Sequence, residues 1–311
     1  MQGVADSRGA RIAQQGTALI VLVFMLGLAM VAVILDSYNR TALRAALDTR
    51  TAQALAEAKA LLIGRAIGDI NRPGSLPCPD GNGDGSADAM LGNDCPTYIG
   101  RFPWKTLGAG ELRDGTGELL WYALSNSYRD DDSAEPINGT AAGQWTVDGV
   151  ADQVAVLFAP GSGLAGQGGR PSNLITDYLE GENADGDQVA TQVLTPNLND
   201  RVIGIGRDEL AAAVAQRILR EIRGDSTQGL LKYYADNASN FPNADTTGDG
   251  VMDVPQLAGT LPYNNLVFDV VETGPMLINN GWLPLVGAYT VSADLQQSSM
   301  TLHGKTLVLN P

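Results

Sequence analysis

Apolar positions follow two successive patterns at the start of the chain. Thr17 to Leu35 reads TALIVLVFMLGLAMVAVIL, 19 residues without a charged side chain. At about 1.5 Å of rise per residue, a helix of that length crosses close to the ~30 Å hydrocarbon core of a bilayer. Beyond it the apolar positions thin to spacings of three and four, at Tyr38, Leu43, Ala46, Leu47, Ala54, Leu55, Ala58, Leu61 and Leu62. That spacing lines up one face of a helix. No Pro or Gly falls between Leu28 and Ile63. The pattern predicts one continuous helix from about Thr17 to about Ile70, roughly 80 Å long, in lipid over its first third and amphipathic afterwards.

Pro73-Gly74 ends that helix. Leu119 to Leu124 and Gln153 to Ala159 (QVAVLFA) read as short buried strands, and Pro160 to Pro171 as a Gly-rich loop. A second helical run covers Arg207 to Ala238, with Asp208-Glu209 near its start and Gly224 as a break. Leu283 to Val291 and Ser299 to Leu309 read as a closing strand pair. The expected fold class is α+β, with short antiparallel strands behind a long helix.

One stretch occurs twice. Leu76 to Asp88 reads LPCPDGNGDGSAD, and 165 residues later Phe241 to Asp253 reads FPNADTTGDGVMD. Pro, the first Asp, Gly, Asp, Gly and the last Asp match in register without a gap. Each copy follows a helical run and precedes an aromatic-Pro segment, Arg101-Phe102-Pro103-Trp104 and Gly281-Trp282-Leu283-Pro284. This predicts a duplicated unit of helix, acidic loop and short strands. The expected division is 1–16, 17–72 with the span at 17–35, 73–206 for the first unit and 207–311 for the second.

Composition narrows the function. A net charge of −15 without any Lys/Arg cluster argues against nucleic acid as a partner. The acidic residues gather in Asp/Gly/Asn loops, and 37 Gly with 15 Pro mark a loop-rich chain. The two cysteines, Cys78 and Cys95, lie in one such loop. Two thiols cannot form a four-thiolate zinc site, and the single His303 does not complete one. The readings left open are a disulfide and two free buried thiols. A disulfide closing a loop of about 18 residues would contribute on the order of 3 kcal/mol and would place this region outside the reducing cytoplasm.

Residues Met1 to Gln15 are polar, with Arg8 and Arg11. Gly16 closes the segment and the apolar run starts at once. No A-x-A-like cleavage site follows the run. This leader, apolar run and helix length resemble the class III leader and long N-terminal helix of type IV prepilins and type II secretion pseudopilins. The resemblance implies cleavage between Gly16 and Thr17 by a membrane peptidase. It also implies a single-pass bacterial inner-membrane subunit that packs through its helix on other pilin or pseudopilin subunits. Its C-terminal domain would be periplasmic or carried on a surface filament as a pilin-like head. Two positions depart from the family pattern, which has Phe or Met where Thr17 stands and Glu where Val21 stands. That Glu is thought to pair with the neighbouring subunit's amino group. A tip subunit has no subunit above it, so the departure implies a minor or tip-type position. A plain signal anchor on a periplasmic or surface binding protein, or on a hydrolase, would also carry Val21.

The acidic loops D-x-N-x-D-G-x-x-D and D-x-T-x-D-G-x-x-D resemble the first nine positions of an EF-hand loop, in which alternating oxygens bind Ca²⁺. The implied ligands are Asp80, Asn82, Asp84, the Ser86 carbonyl and Asp88, then Asp245, Thr247, Asp249, the Val251 carbonyl and Asp253. The twelfth place holds Leu91 and Gln256 instead of Glu, leaving Asp94 to complete the first set. Glu180 to Asp187 is acidic but lacks the spacing. No G-x-S-x-G, H-E-x-x-H or Walker A motif occurs; Gly161 to Gly166 (GSGLAG) matches G-x-G-x-x-G but lies inside the Gly-rich loop with no helical pattern opening on it, and the expectation is a non-enzymatic protein.

Overall fold

The computed structural model describes residues 8–131 and 136–311, with side chains from Leu19 onward. The chain divides into two compact units, Met1–Arg50 and Thr51–Pro311. The boundaries expected from sequence, at 16, 72 and 206, are not where this division falls.

Helix α1 runs Arg8–Gly68. It begins within the polar N-terminal segment, because Ala, Arg and Gln prolong an established helix at little cost. Gly16 and Thr17, the expected cleavage site, therefore lie inside the helix, while residues 1–7 lie outside the described residues. In the first unit, Leu19 to Leu35 expose their apolar side chains. The segment has a mean hydropathy of 2.8 over its best 18 residues and is long and apolar enough to span a membrane. Further along this unit the Thr41 and Thr49 hydroxyls donate back to the carbonyls of Ser37 and Ala45, at 2.9 and 2.8 Å.

The second unit starts with the remainder of α1. Its buried face is Ala54, Leu55, Ala58, Leu62 and Ala66, at the helical spacing of three to four. The helix ends where the Asp69 carboxylate accepts the amides of Asn71 and Arg72, at 3.0 and 2.7 Å. Strands β1 (Ile99–Arg101), β2 (Trp121–Leu124), β3 (Trp145–Val147), β4 (Val150–Ala159), β5 (Val189–Ala190) and β6 (Arg201–Gly206) follow. They form one sheet in the order β1-β2-β4-β3-β5, with β6 also on β4.

Both faces of its central strands are covered, which accounts for the unbroken apolar runs WYAL and QVAVLFA. Tyr122, Leu124 and Leu157 pack with the α1 face. Trp121, Ala123, Val156 and Phe158 pack beneath Tyr178, Leu179 and Ala190 of the β4–β6 connection.

The helical run expected at 207–238 is two helices, α2 (Arg207–Arg223) and α3 (Gly229–Asp236), parted after Gly224 at φ +64. Strand β7 (Ala258–Gly259), helix α4 (Thr273–Asn279) and strands β8 (Tyr289–Val291), β9 (Ser298–Leu302) and β10 (Lys305–Leu309) complete the chain. The second sheet has the order β10-β9-β8-β7. It buries alternate residues such as Ser298, Met300 and Leu302, the pattern of a sheet with one solvated face. The α2 side chains Val214, Ile218 and Ile222 share its core.

The closing strand pair differs from expectation. Leu283–Leu285 is a 3-10 turn, and Ser299 to Leu309 is a hairpin. His303 and Gly304 both have positive φ, +44° and +71°, as a tight two-residue hairpin turn requires. His303 thus sits at a turn, where its Nε2 lies 2.8 Å from the Asn138 carbonyl and its ring meets Trp282 edge-on.

Cys78 and Cys95 are joined as a disulfide, both nearly buried. Thiol labelling of the native chain without reductant should give no adduct. Replacing both with Ser should cost about 3 kcal/mol. Labelling of both residues in native protein would contradict the bond.

Candidate functional site

The two acidic loops share the same set of backbone amide to carboxylate hydrogen bonds. In the first, buried Asp80 accepts the amides of Asn82 (3.1 Å), Gly83 (2.6 Å) and Gly85 (2.7 Å). In the second, buried Asp245 accepts those of Thr247 (2.9 Å), Gly248 (2.7 Å) and Gly250 (2.8 Å). Asp84 takes the Ser86 amide at 2.7 Å, and Asp249 the Val251 amide at 2.8 Å. Asp88 closes on the Gly81 amide at 3.1 Å, and Asp253 on the Thr246 amide at 2.8 Å. The loops differ at Asn82, whose side chain accepts the Asp84 amide, and Thr247, whose hydroxyl donates to Asp245.

The correspondence continues beyond the motif, at a place the sequence pattern did not suggest. Asp80 exchanges backbone hydrogen bonds with Arg101, and Asp245 with Thr260. In β1, Gly100 pairs with Tyr122 of β2; in β7, Gly259 pairs with Tyr289 of β8. The hydroxyl of Tyr122 donates to the Pro77 carbonyl at 3.2 Å, and that of Tyr289 to the Pro242 carbonyl at 3.0 Å.

A Cβ on Gly85 would lie 2.5 Å from the Trp104 ring, and one on Gly250 2.6 Å from the Tyr263 ring. Both glycines have positive φ, +88° and +79°, so each is fixed by its backbone and by the ring beneath it. The counterpart of Gly100-Arg101-Phe102-Pro103-Trp104 is therefore Gly259-Thr260-Leu261-Pro262-Tyr263. The Gly281 to Pro284 segment belongs elsewhere. The offset drops from 165 to 159 residues between the loop and this segment (Asp80 to Asp245, Gly100 to Gly259), which conceals the match. Where Cys78 is bonded to Cys95, its counterpart Asn243 donates to the Gln256 carbonyl at 3.1 Å.

The electrostatics follow from the amides. The Ser86 amide holds the Asp84 carboxyl below its ordinary range, and the Thr246 amide does the same for Asp253. For Asp245, burial pushes upward, but the amides of Gly248, Gly250 and Thr247 outweigh it and the net direction is down. Backbone N–H donors thus supply much of the compensation that a cation would otherwise give three neighbouring carboxylates.

The carboxylates of each loop are not gathered within 4.8 Å of one another. Among the described residues the acidic group that meets this distance is Glu182, Asp185 and Asp187, all exposed, which could hold a metal ion. It lies in the acidic stretch that lacked EF-hand spacing. Asp94 is engaged by the Tyr98 hydroxyl and lies 3.8 Å from Arg129. The donor set at each loop is nonetheless one of hard oxygens, which suits Ca²⁺, and carboxylates bound by one or two amides retain lone pairs for a cation.

No family model matches the chain, and neither does any curated protein or solved structure.

Proposed function

We propose that the chain is a structural subunit of a type IV pilus or type II secretion pseudopilus, of the minor or tip type. The observation that carries this reading is the leader that ends at Gly16 directly before the uncharged 17–35 segment. Further support comes from α1 continuing past that segment without a break, its face from Ala54 to Ala66 covered by a sheet. On this reading the helix inserts in the bacterial inner membrane, is trimmed by the leader peptidase and packs on the helices of other subunits. The α+β unit then serves as a periplasmic or surface-exposed pilin-like head, with no enzymatic task. The two acidic loops bind Ca²⁺ through Asp80, Asn82, Asp84, Ser86 and Asp88, and through Asp245, Thr247, Asp249, Val251 and Asp253. The cation draws the carboxylates together and stiffens loops already shaped by their amides.

Val21 separates a tip position from one inside the filament. With no neighbour above to supply an amine, a carboxyl introduced there stays unpaired in hydrocarbon, where a charge is costly. Val21→Glu should therefore leave the number of copies per sheared filament unchanged or reduced. A several-fold increase in copies would rule out the tip position.

Val21 is also what a signal-anchored binding protein would carry. Such a protein would keep Met1 and would never enter a filament.

A further inference from the structure

We propose that the cavity beside Arg101 is a binding site for a small oxyanion, a carboxylate or phosphate group, built by an insertion that the first repeat carries and the second lacks. The site would serve a filament subunit or an anchored protein equally, so it does not depend on the function proposed above.

The two repeats show what was added. In the second, β9 passes to β10 through His303 and Gly304 alone. In the first, β4 passes to β6 through residues 160–200. This connection folds back over β2 and buries Arg101, which is 6% exposed. The counterpart of Arg101 is Thr260, whose hydroxyl turns onto Asp245 at 3.2 Å.

Nothing negative meets the Arg101 guanidinium among the described residues. Nη1 donates to the Asn173 side-chain oxygen at 3.0 Å, and Nη2 to the Ser172 carbonyl and the Tyr178 hydroxyl. Its Cζ stands 5.2 Å from the ring centroids of Trp121 and of Tyr178. Aromatic faces offset part of the cost of desolvating a cation, but a buried charge is ordinarily paired. Three of the guanidinium's five N–H donors are engaged by these partners, which leaves a donor on Nε and one on Nη1.

Backbone space is kept open for this group. A Cβ on Gly83 would lie 2.8 Å from Nη1, whereas one on its counterpart Gly248 would meet nothing within 4 Å.

Arg101 lines a cavity of about 440 Å³ with Arg113, Glu118 and Asn173, a size that suits a small metabolite. Glu118 lies 3.5 Å from Arg170, and Arg113 is paired with Glu111 at the rim. Two guanidiniums line one polar cavity in a chain of net charge −15. Guanidinium binds planar or tetrahedral oxyanions through paired N–H donors.

The test uses the full chain in detergent micelles, titrated with sodium succinate and separately with sodium phosphate at ionic strength matched by sodium chloride. Heat of binding and tryptophan fluorescence are followed, since Trp121 lies against Arg101. Saturable binding of at least one probe is expected. Succinate alone assigns a carboxylate ligand, and phosphate alone a phosphate. Affinity should fall about tenfold or more in Arg101→Lys and in Arg113→Gln, and stay unchanged in Arg223→Gln on the exposed end of α2. Arg113→Gln decides the matter if Arg101→Lys does not fold. Absence of saturable binding by both probes, or binding unchanged in Arg113→Gln, would overturn the proposal.

Discussion

Asp245→Ala lowers the stability of the unit from Thr51 onward by about 3 kcal/mol, and Asp80→Ala by a similar amount. Each substitution strands three amide donors that now end on one carboxylate. A hydrogen bond to a charged group contributes about 1.5–3 kcal/mol, and the exposed part of each loop can regain some of it from water. Asp245→Asn keeps one acceptor oxygen and loses about half as much.

The sign of the pH dependence follows from the lowered carboxyl of Asp245. Its contribution is present above the ordinary carboxyl pKa of about 3.9 and is lost as pH falls through the lower folded-state value. Asp245→Asn should therefore flatten part of the acid limb of the stability curve. The same melting experiment reads calcium. Binding to the folded state alone adds about 2.7 kcal/mol at a hundredfold excess over Kd. Asp84→Ala and Asp249→Ala should each remove part of that rise, and Mg²⁺ should give less of it. Superimposable curves with Ca²⁺ and with chelator would mean that the amides alone close these loops.

Leu62→Ala and Ile218→Ala are each expected to cost about 2–5 kcal/mol. For a unit of this size that is a drop of roughly 2–4 °C in Tm per kcal/mol. Both side chains are fully buried, one between α1 and the first sheet and the other between α2 and the second. Leu43, 61% exposed on the same helix as Leu62, should change Tm little when cut to Ala. A Leu62→Ala variant as stable as Leu43→Ala would mean that α1 is not part of this core.

What could be read from the residues alone was local. The 17–35 segment announces itself by composition, and the acidic loops by identical residues at identical spacing. WYAL and QVAVLFA read as buried strands because both of their faces are covered. Continuation of the repeat was hidden because it is kept in shape rather than identity. Trp104 and Tyr263 each serve as a flat ring under a glycine. Thr106 and Asn265 each accept one amide, from Ala87 and Met252. A six-residue change in offset separates these residues from the loops.

The tight turn at His303-Gly304 carries no Asn-Gly or Asp-Gly pair, the strongest short-range hairpin signal, so Ser299 to Leu309 reads as one strand from its residues alone. The Arg101 cavity had no sequence signature. Residues 160–200 supply its roof, and nothing in a single Arg within β1 indicates what will be folded over it.

A leader that ends at Gly16 and assembly through the helix that follows are the core of the proposed function. Intact-mass measurement tests it most directly, on protein purified from cells that contain a prepilin peptidase. The expected result is a chain beginning at Thr17, N-methylated, with residues 1–16 absent. A mass that retains Met1 through Gly16 in those cells would contradict it and leave a signal-anchored protein outside any filament.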